Sequence, residues 1–572
     1  FFHVFRPLTF NDHVADYLPA PVLVERLDDT SLRLGLGWVG GVEKGFLRIR
    51  GRNACTAHLN LIVDNLWQQM AEKLKPLDRR AICNAAVLNI ERIRRERTVW
   101  QRTIRANSAC YKDKSNVIDV ASRQIGQLDT ATLGSRLLVE TAVCTSSSVG
   151  RAPDELELSQ LLSYGLLLFN LGAWSDAISF GLYPPKLNIS IFGQVMMDYG
   201  FEREVLQPYQ LAFAKKQREK EANEYEKLYE QPVDVPAARE VFPERFLAAW
   251  KEEYGVSYDV MRKIVDNLED WGISQKTATY ELRKSDLLKA LQGCVSPEEP
   301  QDIALFVSKL SLPMRDRWDQ NVQELPKGMA PQDWYPWNFR RKLSFISRPL
   351  VELDASDDPM ILISPGAVRE SIGYLSVNAF NGTFDERNFS TEAMRKWIGW
   401  QRSELGKQFN LQVAEKMREF GWNAESDVSI TKLLNRKTEL NFGDVDVLAW
   451  SESCGVVVAI ECKNLFFAKT HREIGNQINE FRGVCTSSGK KDRLRKHFDR
   501  LDLLVGELDA LRRYTACQGL TNLVGALVFS RSTIIECAPQ IPRNRLHVCT
   551  IDALDTPAAL VGALTPWSRE QM

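Results

Sequence analysis

Between Asn441 and Leu465 the chain reads NFGDVDVLAWSESCGVVVAIECKNL, two strand-like runs that carry three carboxylates and a lysine. Ionised groups are costly to bury, so charges inside a sheet need partners. Strand side chains alternate between faces. In the first run Val445, Val447 and Ala449 share one face, and Asp444, Asp446 and Leu448 share the other. In the second, Val456, Val458, Ile460 and Cys462 form a continuous apolar face, with Val457, Ala459, Glu461 and Lys463 opposite. Ser451 to Gly455 reads as a turn, so the runs are expected to pair as a hairpin. Asp446 and Glu461 then lie close together, with Lys463 one pleat further on. Neighbouring carboxylates raise each other's pKa unless a cation lies between them. Mg²⁺ takes oxygen ligands and usually keeps several waters. That leaves a position for an attacking water, and Lys463 can orient that water or offset charge on a phosphate.

The same residues resemble the PD-(D/E)xK nuclease superfamily, the restriction-endonuclease-like fold, in its Mrr-like branch. Asp446 matches the first strand acid, Glu461-Cys462-Lys463 the (D/E)-x-K, and Gly443-Asp444-Val445-Asp446 a G-(D/E)-x-D variant. Val445 stands where the superfamily's title has proline. Gln477-Ile478-Asn479-Glu480-Phe481 is similar to the Q-x-x-x-Y of RecB-like nucleases, with Phe for Tyr. Upstream, Gly406 to Asn410 and LQVAEKMREFGW look like the opening helix of Mrr-type enzymes, with Asn410 where that helix usually has Glu. Glu404 and Glu415 fall opposite the Leu405, Phe409, Val413, Met417 and Phe420 face. NLVGALVFS and LHVCTIDAL supply two further strand-like runs, and the likeness covers residues 389–560. The resemblance implies Mg²⁺ or Mn²⁺ held by Asp446 and Glu461, with the Ile460 or Cys462 carbonyl as a further ligand. It makes Lys463 the group that positions water, Gln477 a support for the site, and Asp444 an accessory acid.

At 572 residues the chain is long enough for two to four domains. Its 44% hydrophobic and 26% charged residues are ordinary for a soluble globular protein. LSQLLSYGLLLFNLGAW is the run nearest to a membrane span, but it contains Ser, Gln, Tyr and Asn. The chain opens at Phe1 without a signal-peptide pattern, so its true start is expected to lie upstream or to have been removed. Eleven cysteines without a C-x-x-C suggest reduced thiols, hence a cytoplasmic protein with no membrane partner. Six histidines without paired spacing add nothing towards a metal cluster. The net charge of −1 gives no general support for DNA binding, so any basic surface must be local. GKKDRLRKHFDR, Gly489 to Arg500, is the best such cluster. On a helix, Lys491, Arg495 and Lys496 would lie near one face and could meet phosphates; a solvated helix face is the equal alternative.

Four regions follow. Residues 1–52 read as a β-rich segment, 53–323 as mainly helical, 324–385 as a β-containing connector, and 386–572 as an α/β nuclease-like domain. Gly35, Gly37 and Gly40 form a G-x-G-x-x-G, but GFLRIRG after it reads as a strand, so no dinucleotide site is expected. SSSVGRAP lacks the Gly-Lys-Ser/Thr of a phosphate loop. LAFAKKQREKEANEYEKLYEQ reads as an exposed charged helix. KLSFISRPLVELDASDDPMILISP and ESIGYLSVNAFNGTF read as strand-like, with a turn at Asn381-Gly382. The expected whole is a mainly α N-terminal region before a C-terminal α/β domain; the resemblance implies that this domain has the restriction-endonuclease-like fold and cuts DNA, in restriction or anti-phage defence. Residues 386–572 alone are expected to cleave with little selectivity. A partner protein in a defence system and a homo-oligomer are both compatible with this organisation. Two alternatives stay open: an inactive nuclease-fold scaffold that binds nucleic acid or protein, and a nuclease acting in repair or on RNA.

Overall fold

The computed structural model describes residues 10–14, 18–39, 43–110, 115–145, 148–213, 242–295, 302–315, 335, 341–486, 489–554 and 567. Most of the charged run 211–231, the proline breaks at 230–240 and 324–338 apart from Tyr335, and the middle of CVSPEEPQD lie outside them. The chain divides into two compact units. One comprises Phe1–Ser179, Pro185–Met197 and Asp234–Gly399; the other comprises Phe180–Pro184, Asp198–Val233 and Trp400–Met572.

The first unit is mainly helical. Arg52–Leu74 buries Cys55, Leu59, Ile62, Leu66 and Met70, the three-and-four spacing of an amphipathic helix. Arg79–Cys110, Ser115–Thr145 and Glu155–Ser179 follow. Glu155–Ser179 is long and apolar enough to cross a membrane, but 67% of that stretch is buried inside the unit, as a core helix requires. Two small sheets accompany these helices. Leu47–Arg50, Lys186–Ile189 and Val195–Met196 form an antiparallel sheet of three. Tyr280–Arg283, Met360–Ile363, Leu350–Glu352 and Ser311–Leu312 form one of four.

Two local expectations change. Among the described part of 1–52, Leu47–Arg50 is the one strand, and Phe10–His13 and Arg26–Arg33 are helical. Gly35, in the left-handed conformation, precedes the 3₁₀ turn Leu36–Trp38, and the Gly35 and Gly37 N–H groups donate to Phe192 and Gly193 carbonyls at 2.8 and 2.7 Å. A Cβ on Gly37 would come within 2.5 Å of Ile189, so Gly35 and Gly37 serve close backbone docking, while Gly40 lies outside the described residues. The ESIGYLSVNAF run, expected as strand, lies in helix Pro365–Phe380. Ser364 caps it by accepting from the Ala367 N–H, Pro365 stands at its first position, and Val368, Ile372, Leu375 and Ala379 mark its buried stripe. The Asn381-Gly382 turn is present.

The second unit is built on a five-stranded mixed sheet. Its elements are α1 (Glu392–Glu419, of which the part from Trp400 belongs here), β1 (Asn423–Ser429), β2 (Asp444–Ser451), β3 (Val456–Lys463), α2 (His471–Asn479), α3 (Arg493–Val505), β4 (Asn522–Phe529) and β5 (His547–Thr550). The strand order is β5-β4-β3-β2-β1. β1, β2 and β3 run antiparallel, and β4 and β5 continue parallel to β3. Phe409, Val413 and Met417 of α1 pack on Val447, Ala449, Val458, Ile460 and Cys462, the apolar face expected from alternation. On the other face Leu501 of α3 lies so close to β4 that a Cβ on Gly525 would meet it at 2.5 Å. The sheet is therefore covered on both faces, with charged groups gathered at one end of β2 and β3.

Candidate active site

The β2–β3 hairpin pairs Ser451 with Val456 through to Val447 with Ile460. The ladder stops there. Beyond it the Cys462 N–H donates to Asp446 Oδ2 at 2.8 Å, so a carboxylate takes the place of a strand carbonyl. Glu461 points from β3 into the interior and is only 4% exposed. Lys463 extends back between the two acids. Its Nζ donates to Asp446 Oδ2 at 2.9 Å and to the Cys462 carbonyl at 2.9 Å, and lies 2.7 Å from Glu461 Oε1. Asp446, Glu461 and Lys463 thus meet around one point, as the strand alternation leads one to expect.

The remaining oxygen of Glu461 faces α3. Arg500 Nη2 lies 2.8 Å from Glu461 Oε2, and its Nη1 donates to the Asp444 carbonyl. His497, one turn earlier, places Nδ1 3.5 Å from the same Oε2. These two residues are i and i+3 on one helical face, and both are buried. Burial pushes the His497 imidazole down to about 3, so it is neutral. Burial alone would raise the Glu461 carboxyl, but Lys463 and Arg500 outweigh it and keep Glu461 ionised. Asp446 is raised, first by burial and then by the charge of Glu461. The two acids sit close enough to titrate together, as a pair. Burial would lower the Lys463 ammonium, and Glu461 and Asp446 reverse that, so it stays charged.

Gln477 on α2 is buried, and its Nε2 donates to the Phe466 carbonyl at 2.9 Å. It fastens the segment that follows Lys463. Asp444 is exposed at the start of β2, where its carbonyl, rather than its carboxylate, meets Arg500. Asn410 is buried on α1, and its Nδ2 donates to Asp427 Oδ1 at 2.7 Å. Asp427 has φ 53, uncommon for a residue with a side chain. In the β1–β2 register Ser426 pairs with Val447 and Val428 with Val445, and the Asp427–Asp446 pair between them is missing from the ladder. Like charges directly opposite one another destabilise a sheet, and the left-handed backbone at Asp427 interrupts that juxtaposition.

The basic cluster is largely paired within its own neighbourhood. Lys491 precedes α3 and lies 2.6 Å from Asp499, Arg495 lies 2.9 Å from the same Asp499, and Lys496 is exposed. Arg500, His497 and Asp427 were not singled out from sequence. Arg500 and His497 stand inside the basic run, and a run of charges does not say which members turn inwards.

Among the described residues, no group of three or more His, Cys, Asp or Glu side chains gathers to hold a metal. The donors that do converge are hard oxygens: Asp446 Oδ2, Glu461 Oε1 and the Cys462 carbonyl, all already arranged around a cation. That chemistry fits Mg²⁺ or Mn²⁺, which accept carboxylate and carbonyl oxygens and complete their shells with water.

Fold and site together describe a mixed α/β multidomain protein with a charged cluster at the strand ends of its C-terminal sheet. Residues 1–554 match the family model described as Anti-phage protein Upx-like, and the chain belongs to that family. Its membership points to a role in defence against phage. No curated protein and no solved structure matches the chain.

Proposed function

We propose that this protein is a cytoplasmic, metal-dependent endonuclease that hydrolyses DNA phosphodiester bonds in anti-phage defence. The observation that carries the reading is the meeting of two carboxylates, a carbonyl and a lysine at the ends of two adjacent strands. The order helix, three antiparallel strands, helices and two parallel strands supports a restriction-endonuclease-like core. Asp446, Glu461 and the Cys462 carbonyl would hold Mg²⁺ or Mn²⁺, which would supply Lewis-acid chemistry at the strand ends. Lys463, charged and partly exposed, orients the attacking water and offsets charge on the phosphate. Arg500 fixes the direction of Glu461, and Gln477 holds the segment after Lys463 through the Phe466 carbonyl.

The test is incubation of the protein with supercoiled, linear and single-stranded DNA and with RNA, with and without Mg²⁺ or Mn²⁺. Metal-dependent cutting is expected, and Asp446→Ala, Glu461→Ala and Lys463→Ala are each expected to slow it by at least about a hundredfold. Unchanged cutting in Asp446→Ala would refute the assignment. Asn410, which stands where the resembling first helix has Glu and is bonded to Asp427, favours a second reading, a nuclease-fold scaffold that binds a partner without cutting. Binding of DNA or a protein with no cleavage under any metal would select it.

A further inference from the structure

Three oxygens from two adjacent strands, β2 and β3, converge on one nitrogen. Asp446 Oδ2 at 2.9 Å, Glu461 Oε1 at 2.7 Å and the Cys462 carbonyl at 2.9 Å all meet Lys463 Nζ. They form a cradle for a single cation. Its walls are fixed: Asp446 Oδ2 also accepts from the Cys462 N–H, and Glu461 is held from behind by Arg500. The occupant is the movable part. A lysine head is a compact charge on a flexible four-carbon stem, and Lys463 stands partly exposed at the end of β3. A divalent ion drawing on the same three oxygens cannot share that point with an ammonium, because two like charges would meet at contact distance.

We propose that Lys463 and a divalent metal are alternative occupants of this cradle. Lys463 therefore fills the site when metal is scarce and swings outwards when metal enters. This rests on the nuclease reading and adds a device to it. The protein carries its own competitor for the metal, which raises the metal concentration the site needs. The outward movement also delivers the ammonium to the side from which water and phosphate approach.

The experiment uses the full chain and two readouts that do not depend on cutting. The first is acetylation of lysines by an amine-reactive ester at fixed pH, read by mass spectrometry, with Mg²⁺ or Ca²⁺ titrated in. Lys463 is expected to become several-fold more reactive as metal saturates, while Lys496 stays unchanged and the Asp446→Asn protein shows no metal response at Lys463. The second is Mn²⁺ affinity by calorimetry. Lys463→Met is expected to bind about tenfold or more tightly than the natural chain, because the occupant and its charge are both gone. Arg500→Gln removes a charge near Glu461 but loosens that wall and leaves the occupant, so it is expected to bind Mn²⁺ no more tightly than the natural chain. Lys463 reactivity that stays flat while calorimetry records metal binding would overturn the proposal. So would a Lys463→Met protein that binds Mn²⁺ no more tightly, or one matched by Arg500→Gln. Metal exchange without any DNA cleavage would instead sink the nuclease reading and leave the exchange standing. Cleavage with Lys463 still protected would do the reverse.

Discussion

Arg500 reaches two strands with one side chain: Nη2 meets Glu461 on β3, and Nη1 meets the Asp444 carbonyl on β2. Only a planar fork donates in two fixed directions, so lysine cannot replace it. Removing it would leave Glu461 buried with one fewer cation. Arg500→Gln is expected to destabilise by about 1.5–3 kcal/mol, the scale of hydrogen bonds to charged groups, measurable by urea unfolding. Cleavage is expected to fall by about tenfold or more as Glu461 loses its set direction. Arg500→Lys should recover less than half of either loss; full recovery would show that charge alone matters. Gln477 gives a second comparison on α2. It is buried against the Phe466 carbonyl, whereas Glu473 accepts from the Lys469 N–H nearer the surface. Gln477→Ala is expected to reduce activity more than Glu473→Ala, and equal, negligible effects would make its motif match accidental. Asp446, Glu461 and Lys463 were legible in the sequence because a period of two puts acids and lysine on one face. Arg500 was not, since its partners lie 39 and 56 positions away and no local pattern marks them.

Helix starts show the same divide between local and distant causes. Ser364-Pro365 is a local signal, and it places the start of helix Pro365–Phe380 although its β-branched and aromatic residues imitate a strand. The β2–β3 hairpin was legible for the same kind of reason, with alternation and a turn within one stretch. The start of α1 is anchored from afar. Glu253, buried in the first unit, accepts from the Thr391 N–H and hydroxyl at 2.8 and 2.9 Å and from the Ser390 N–H, and pairs with Lys309. Burial on its own would raise its carboxyl; Lys309 and the Thr391 and Ser390 donors outweigh it, and the net direction is down. A carboxyl lowered on folding contributes stability above its unfolded value, and that stability is lost as pH falls through the folded value. Glu253→Gln leaves Lys309 without its counter-charge and is expected to cost about 3 kcal/mol at pH 7. The gap between the two proteins should shrink as pH falls below about 4.5, near the ordinary glutamate value. Thermal melts across pH 7 to 3 would check this, and a constant gap would show that Glu253 is not the titrating group.

At the scale of the whole chain, the second unit draws on two widely separated stretches. From sequence alone, catalysis is expected to survive in residues 386–572. The fold changes that expectation, because 180–184 and 198–213 belong to the same compact unit as 400–572. Tyr183 donates to Glu202 Oε2 at 2.7 Å and lies 3.1 Å from His471 Nε2 at the start of α2. Tyr209 and Phe213 stack on Phe467 with ring centroids 5.0 and 3.7 Å apart. Phe180 sits so near α2 that a Cβ on Gly475 would meet it at 2.5 Å, and its carbonyl accepts from Arg482. Apart from the Tyr183–Glu202 bond, these contacts fall on residues 467–482, shortly after Lys463 and around Gln477. Each aromatic pair is worth about 0.5–1.5 kcal/mol beyond the area it buries. Without them a 386–572 fragment would expose Phe467 and loosen the helix that carries Gln477. That fragment is expected to melt at lower temperature than the same fragment given a 180–213 peptide, and to cleave more slowly until the peptide is added. Calorimetry and a plasmid-nicking assay on matched molar amounts make the comparison. If the fragment alone is as stable and as active as with the peptide, the early segment is only a neighbour of the five-stranded sheet and its helices; if the peptide restores both, the unit is completed by residues more than 200 positions upstream.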